Sequence, residues 1–242
     1  MKKLISFLRV NLVPIGGVFL LSLIFSACKK TDSNNQDFPV AGLVAINLVP
    51  DVDAVGVAIS GNNFTTVPLY YSNYTGGYRA VNTGQRDLET YNFNSRQSMA
   101  VTNQLFKDSS YYSLFVIGTQ GNYKNLVVED KFDSLPSTTG ESFVRFINAI
   151  TDSTNIPNVK VSSNSTVLYD GVAPFGFVSD FKAVMPGDVM IDAGNESTID
   201  KDRTISVEKG KIYTVLLSGD PSSTDTANSV SIKFIVNGSV GE

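Results

Sequence analysis

The feature of this chain that most constrains its fold is an internal repeat of about one hundred residues. Short motifs of the first half recur in the second half, in the same order and at nearly constant spacing. The pairs displaced by 101 positions are Ala45-Ile46-Asn47 with Phe146-Ile147-Asn148, Asp51 with Asp152, Tyr112-Ser113-Leu114-Phe115 with Tyr213-Thr214-Val215-Leu216, and Gly118 with Gly219. Two pairs are displaced by 99, namely Leu69-Tyr70 with Leu168-Tyr169 and Gly77-Tyr78 with Gly176-Phe177. A repeat of this length encodes a whole domain rather than one unit of a solenoid, so we predict two tandem domains.

Each copy of the repeat consists of short segments rich in β-branched and aromatic residues, separated by turn residues. In the second copy the predicted strands are 143–149, 158–162, 166–169, 176–183, 188–192, 203–207, 212–218 and 229–236. Residues 28–242 show no convincing helical periodicity. We therefore predict an all-β fold of two immunoglobulin-like antiparallel β-sandwiches, over 39–132 and 142–238, joined by a linker at 133–141.

Three motifs of the second copy form a recognisable pattern. They are Val144-Arg145-Phe146-Ile147-Asn148-Ala149, Val159-Lys160-Val161 and Gly210-Lys211-Ile212-Tyr213-Thr214-Val215. With these motifs the second copy resembles the domain-of-unknown-function family 4397. The first copy departs from the family pattern, because Lys107-Asp108-Ser109-Ser110 replaces the glycine turn. Members of the family are often tandem and lipid-anchored in Bacteroidetes envelopes. The resemblance implies an extracellular sandwich and assigns no activity to it.

The first 27 residues have the order of a secretory signal peptide. Lys2, Lys3 and Arg9 precede an apolar run at 12–25, and the small residues Ser26 and Ala27 close it. The run is shorter than the roughly 20 residues that span a bilayer. We therefore predict that residues 1–27 are cleaved off.

Cys28 is the only cysteine of the chain and directly follows this leader. The segment that ends in Ser26-Ala27-Cys28 resembles the bacterial lipobox, which implies acylation of Cys28 and attachment to the membrane. The alternative is an ordinary secretory signal with a stray thiol. The polar segment 28–38 is predicted to be a flexible tether. It resembles export signals of surface lipoproteins, so the expected location is the outer membrane, facing the cell surface.

Composition excludes several classes of function. The chain has no His, and 16 basic residues face 23 acidic ones once the leader is removed, a net charge of −7. Nucleic-acid binding is not expected, because phosphates require clustered Lys and Arg. Without His or a free Cys, we predict no enzyme activity and no cofactor.

Two motifs are candidate sites of chemistry. Ser206 and Lys209 fit the Ser-x-x-Lys pattern of a serine nucleophile, but this motif must open a helix, and here it spans a strand and its turn. Oxygen donors crowd the Asp192–Asp202 segment, which leaves a bound calcium ion as an alternative to a solvated loop.

Tyrosines cluster in the first copy, where eight of the ten in the chain occur. Tyr70 and Tyr78 match aromatic residues of the second copy and are expected in the core. Tyr71 and Tyr74 have no aromatic match, so we predict that they point outward and contact a glycan or a protein. The alternative is that all of them pack inside the sandwich.

Three loop positions resemble the Asp-Ser/Thr-apolar sites that Bacteroidetes use for O-glycosylation. They are Ser134, Ser153 and Thr226, each preceded by an Asp. All three fall in predicted loops, where a glycan can be accommodated.

Taken together, these features predict a non-enzymatic, lipid-anchored envelope protein that binds a glycan or a protein at the cell surface. The alternative is a structural or accessory subunit of an outer-membrane protein complex, with its exposed strand edges covered by partners.

Overall fold

The computed structural model of the protein describes residues 38–136, 140–151 and 156–240. The predicted leader and Cys28 lie outside the described residues, as does Ser153. Among the described residues, no helix has the length and apolar character that crossing a membrane requires.

The first repeat forms two sheets that pack face to face. Its strands are β1 (Val40–Asn47), β2 (Ala54–Ile59), β3 (Asn62–Asn63), β4 (Leu69–Tyr70), β5 (Arg79–Asn82), β6 (Gly84–Asn92), β7 (Ser98–Phe106), β8 (Tyr111–Thr119) and β9 (Asn122–Asp130). The inner sheet has the order β5-β1-β8-β9. The outer sheet has the order β3-β2-β6-β7, and β4 pairs with β2.

The second repeat has the same design. Its strands are β10 (Ser142–Ile150), β11 (Asn158–Ser163), β12 (Thr166–Val172), β13 (Lys182–Val184), β14 (Gly187–Gly194), β15 (Asp200–Val207), β16 (Lys211–Gly219) and β17 (Ser231–Ser239). The inner sheet has the order β13-β10-β16-β17, and the outer sheet has the order β12-β11-β14-β15.

The predicted all-β fold of two tandem sandwiches is therefore confirmed. Strand pairing departs from a purely antiparallel sheet at one place in each repeat, because β1 runs parallel to β8 and β10 runs parallel to β16. The strand predicted at 176–183 is mostly wrong, since only Lys182–Val184 forms a strand and Val178 makes an isolated bridge to Ile147. Gly176, the first residue of this segment, has a φ of +80°, which is not a strand conformation, and Pro174 lies just before it.

Each sandwich has its own hydrophobic core, and a third core joins the two inner sheets. Side chains alternate along β1, so Leu43 and Ala45 face the core of the first sandwich. Val44 and Ile46, on the opposite face, pack against Ile147 of the second repeat. The strands of the inner sheets are thus apolar on both faces, and the four sheets form a stack of layers with the two inner sheets at its centre.

The structural repeat agrees with the sequence repeat at most of the matched positions, but the two differ in register in the middle of each copy. Asn47 and Asn148 are equivalent, since the Nδ2 of each donates to a carbonyl, of Leu69 at 2.9 Å and of Ala173 at 2.7 Å. Leu69 is therefore equivalent to Ala173, a displacement of 104, and the match of Leu69 with Leu168 is wrong. The same register makes Tyr71 the counterpart of Phe175.

Candidate functional site

A buried polar network joins the two repeats at one end of their shared core. Arg145, near the start of β10, donates from Nη1 to Asp130 Oδ1 of β9 at 2.5 Å. Its Nη2 donates to Ser113 Oγ at 2.8 Å, and its Nε donates to Thr214 Oγ1 at 3.0 Å. Ser113 and Thr214 occupy equivalent positions in the two repeats, so one arginine contacts the same site of both sandwiches. Each charge of this ion pair is hydrogen-bonded, which is the condition for burying it without a large penalty.

The guanidinium of Arg145 also lies over aromatic rings. Its Cζ is 4.3 Å from the ring centre of Phe181 and 5.6 Å from that of Phe115. Such stacking favours a desolvated guanidinium. The network therefore has a polar side and an aromatic side, and the aromatic side extends toward the surface.

Tyr78 connects the network to the surface. Its hydroxyl donates to Asp130 Oδ2 at 2.5 Å and accepts a hydrogen bond from Asn237 Nδ2 at 3.1 Å. Burial raises the pKa of Tyr78 far above its ordinary value, and the neighbouring Asp130 carboxylate adds to this. Tyr78 is therefore a neutral hydrogen-bond donor throughout the physiological pH range.

Aromatic side chains surround Tyr78 where the linker crosses between the repeats. Tyr111 and Phe132 meet the Tyr78 ring edge-on, with ring centres 5.1 and 5.6 Å away. Phe132 opens a short 3₁₀ helix over Phe132–Ser134 and also contacts Phe181 at 5.8 Å. The linker is thus packed between the sandwiches by an aromatic residue.

An open cleft of about 620 Å³ lies beside this cluster and is called the seam cleft below. Tyr78, Tyr111 and Phe132 form its aromatic wall. Its polar groups come from both repeats and from the linker, and they are Ser109, Asp133, Asn237 and Ser239. A cleft of this size, with an aromatic wall beside several polar groups, has the features of a small-molecule site.

Gly42 of β1 holds the exposed ring of the seam cleft in place. Tyr111 is 42% exposed, and its ring lies directly against Gly42. A Cβ added at Gly42 would be 2.6 Å from Tyr111 Cδ1, closer than real Cβ contacts come. Tyr111 can adopt this position only because residue 42 has no side chain.

The expectation that Tyr71 and Tyr74 project freely outward is wrong, because both are half-buried along the inter-repeat core. The Tyr71 hydroxyl is hydrogen-bonded to Ser218 Oγ of the second repeat at 3.0 Å, and Lys233 Nζ lies 5.7 Å from its ring centre. Tyr74 bridges to Ile46 and packs against the shared core. Tyr74 also lines a surface pocket of about 290 Å³ with Arg79. Contact of either residue with a ligand stays a prediction.

Tyr70 and Tyr78 were expected in the sandwich core. Tyr70 is 55% exposed, because β4 presents Leu69 to the core and the next residue to solvent. Tyr78 is half-buried and lies against the shared core rather than inside one sandwich.

The Asp192–Asp202 segment is the end of a hairpin. Asp192 pairs with Asp202 across β14 and β15. Asn195 Oδ1 accepts hydrogen bonds from the backbone N–H groups of Ser197, Thr198 and Ile199, so it caps the turn. Within the described ranges, no three acidic side chains come together to hold a metal ion. The structure thus offers no support for the calcium alternative.

The remaining sequence motifs lie at the surface. Ser206 is exposed near the end of β15 and Lys209 is in the following turn, so this motif opens no helix. Ser134 and Thr226 are both exposed, and the Ser134 hydroxyl donates to the Lys131 carbonyl at 2.7 Å. Their O-glycosylation stays a prediction.

Sequence reasoning missed Tyr111 and Phe132, two aromatic residues of the seam cleft, of which Tyr111 is exposed and Phe132 is half-buried. Two features of the sequence indicate these residues. Tyr111 precedes the core residue Tyr112, so alternation places its ring on the opposite face. Phe132 is an aromatic residue beside a predicted linker, where polar residues are the rule.

Solved structures share only weak overall similarity with this chain. One is CBMbc, of family CBM26, from Eubacterium rectale Amy13K in complex with maltoheptaose, with 10% identity, a TM-score of 0.25, and coverage of 79% of this chain and 96% of that one. Another, from Bacteroides uniformis, is named provisionally as a cell adhesion protein and has 10% identity, a TM-score of 0.25, and coverage of 84% and 98%. A similarly named protein from Bacteroides ovatus has 9% identity, a TM-score of 0.24, and coverage of 83% and 98%. At these TM-scores the similarity supports no conclusion about function.

No curated protein matches the chain. The profile of the family described as domain of unknown function DUF4397 matches twice, over residues 41–162 and 142–237. The two matches overlap at β10 and β11, and together they cover both sandwiches. The chain therefore belongs to the DUF4397 family, as a tandem of two copies.

Proposed function

We propose that this protein is a non-enzymatic binding module of the cell envelope, anchored through acylated Cys28, which holds a glycan or a protein at the cell surface. The observation that carries the proposal is the seam cleft, where Tyr111 exposes 42% of its surface beside Phe132 and polar groups of both repeats. Tyr rings bind ligands at low entropic cost, because they have few rotatable bonds.

The rigidity of the body supports a binding role. Tyr78 in the aromatic wall of the seam cleft is held in one position, since its hydroxyl is hydrogen-bonded to Asp130 and Asn237. The shared core holds the two sandwiches together through side chains that are fully buried, such as Ile46 and Ile147. A preformed site loses little conformational entropy when it binds.

A second candidate function is that of an accessory subunit of an envelope complex. The edge strand β12 favours it, because among the described residues this strand pairs only with β11. Val167 and Val172 of β12 are 51% and 60% exposed. An open edge with exposed apolar side chains can accept a partner strand.

Two measurements test the anchoring and the role. Palmitate labelling of the full chain in its native host should be lost in Cys28→Ala, and unchanged labelling would contradict acylation at this position.

Protease treatment of intact cells, paired with affinity purification in mild detergent, distinguishes the binding module from the accessory subunit. Digestion at the surface and purification as a single species support the binding module. Protection, or purification with a fixed set of partners, supports the accessory subunit.

A further inference from the structure

We infer that the seam cleft is a saccharide site that takes a neutral glycan, with Tyr111 as the platform for a sugar ring. This inference rests on the proposed binding function and narrows it to one site and one class of ligand. The aromatic wall of the seam cleft is the first feature that supports a saccharide ligand. A pyranose ring presents C–H groups on one face and hydroxyls at its edge, so it needs an exposed aromatic face beside polar groups.

Tyr111 meets the first of these needs. Its ring is anchored on one side by Gly42 and on the other by edge contacts with Tyr78, so it keeps one orientation while 42% of its surface stays open. A ring held this way retains an accessible face without having to be ordered by the ligand.

The polar groups of the cleft meet the second need. Asp133 and Ser109 are exposed residues of the cleft lining, and the half-buried Ser239 lines it as well. Sugar hydroxyls both donate and accept hydrogen bonds, and a carboxylate together with serine hydroxyls offers partners of both kinds.

The charges of the cleft favour a neutral ligand. Asp133 is the one charged residue among its described lining residues. One ammonium group contacts the lining, because Lys211 Nζ donates to Ser239 Oγ at 2.8 Å. These two opposite charges offset each other, and the body as a whole carries excess acid, so a sulfated or sialylated glycan gains no attraction.

The test uses the full chain without its leader, applied to an array of neutral glucans, mannans, xylans and galactans, with sulfated and sialylated glycans as the charged comparison. Affinity for the strongest neutral oligosaccharide is then measured by calorimetry. We expect Tyr111→Ala to weaken binding at least about tenfold, as truncation of a central aromatic contact does. Tyr111→Phe keeps the ring and should bind within about threefold of the parent. Gly42→Ala should also weaken binding, because its Cβ displaces the ring.

Tyr70→Ala is the matched control, since Tyr70 is 55% exposed, somewhat more than Tyr111, but lies outside the seam cleft. Circular dichroism and thermal unfolding identify any variant that has lost its fold, and Gly42→Ala still tests the site if Tyr111→Ala is unstable. Binding of a neutral glycan that Tyr111→Ala and Gly42→Ala leave intact would overturn the site but not the proposed function. A preference for charged glycans would overturn the ligand class. If no glycan binds, the saccharide inference is wrong, and a protein ligand found on intact cells would still satisfy the proposed function.

Discussion

Arg145 of the second repeat and Asp130 of the first form an ion pair across the shared core, with 2.5 Å between Nη1 and Oδ1. Both side chains are almost fully buried, at 2% and 0% exposure. In the first repeat, Val44 occupies the position of Arg145, so the pair exists once and breaks the symmetry of the two inner sheets. A buried ion pair of this kind can select one relative position of the two inner sheets. Apolar surfaces alone would allow several such positions.

Removal of one residue of this ion pair should therefore destabilise the folded protein. We expect Arg145→Ala to lower the free energy of unfolding by about 3–5 kcal/mol, because Asp130 is left buried without its counter-charge. Urea unfolding measures this. The double variant Arg145→Met/Asp130→Leu should recover much of the loss, because it removes both charges together. Lys107→Ala breaks an exposed ion pair with Glu129 and should leave the unfolding midpoint nearly unchanged. A midpoint for Arg145→Ala equal to that of Lys107→Ala would contradict the role assigned to the pair.

Tyr78 should make the protein sensitive to alkali. Its pKa is raised in the folded state, so the folded protein keeps the phenol proton at a pH where the unfolded chain, with a tyrosine pKa of about 10, releases it. This contribution to stability is fully present below pH 10 and declines as the pH rises above it. Tyr78→Phe should be less stable than the parent at pH 7, since it loses two hydrogen bonds. Between pH 10 and 11, however, Tyr78→Phe should lose less unfolding free energy than the parent loses.

The measurement is urea unfolding of both proteins at several pH values, and only the difference between them matters, because other groups also titrate. Tyr70→Phe removes an exposed hydroxyl and is the matched control. Parallel stability curves for the parent and Tyr78→Phe above pH 10 would show that the Tyr78 proton is not retained.

The sequence predicted the strands and the duplication well, for a local reason. Turn residues separate runs of β-branched and aromatic residues, so segments such as Asn158–Ser163 were found almost to the residue. The middle of each repeat was misaligned, because Leu69 is equivalent to Ala173, and the two residues share a position in the fold but little chemistry. Short sequence matches at Leu168 and Phe177 were stronger than the true ones.

The candidate site was largely beyond sequence reasoning. Val44 and Ile46 show that the second face of β1 is buried, but a strand that is apolar on both faces does not reveal what covers it. Tyr71 looked free for the same reason, since Ser218 lies 147 residues further along the chain. The seam cleft arises from the packing of two inner sheets around Phe132, and no local pattern encodes that packing.

Equivalent glycines lie at the C-terminal end of β8 in one repeat and of β16 in the other. Gly118 and Gly219 have φ values of +118° and +124°, and a Cβ at either would overlap a backbone carbonyl, of Asn122 or Ser229. We expect Gly219→Ala to cost more than about 2 kcal/mol of unfolding free energy, because both the φ and the space exclude a side chain. Gly61→Ala, at φ +79° with open space around it, should cost about 1 kcal/mol. Equal losses in the two variants, measured by thermal unfolding, would contradict the steric explanation.

The shared core should make the two sandwiches unfold together. Ile147 lies on β10 with no exposed surface and packs against the first repeat, so Ile147→Ala should lower the free energy of unfolding by about 2–5 kcal/mol. Hydrogen exchange read by mass spectrometry should then show faster global exchange in peptides from β6 of the first repeat as well as from β14 of the second. Met190→Ala, at a position 52% exposed on the second repeat, should change neither. Faster exchange confined to the second repeat would mean that the sandwiches unfold independently, and that the shared core contributes contact without cooperativity.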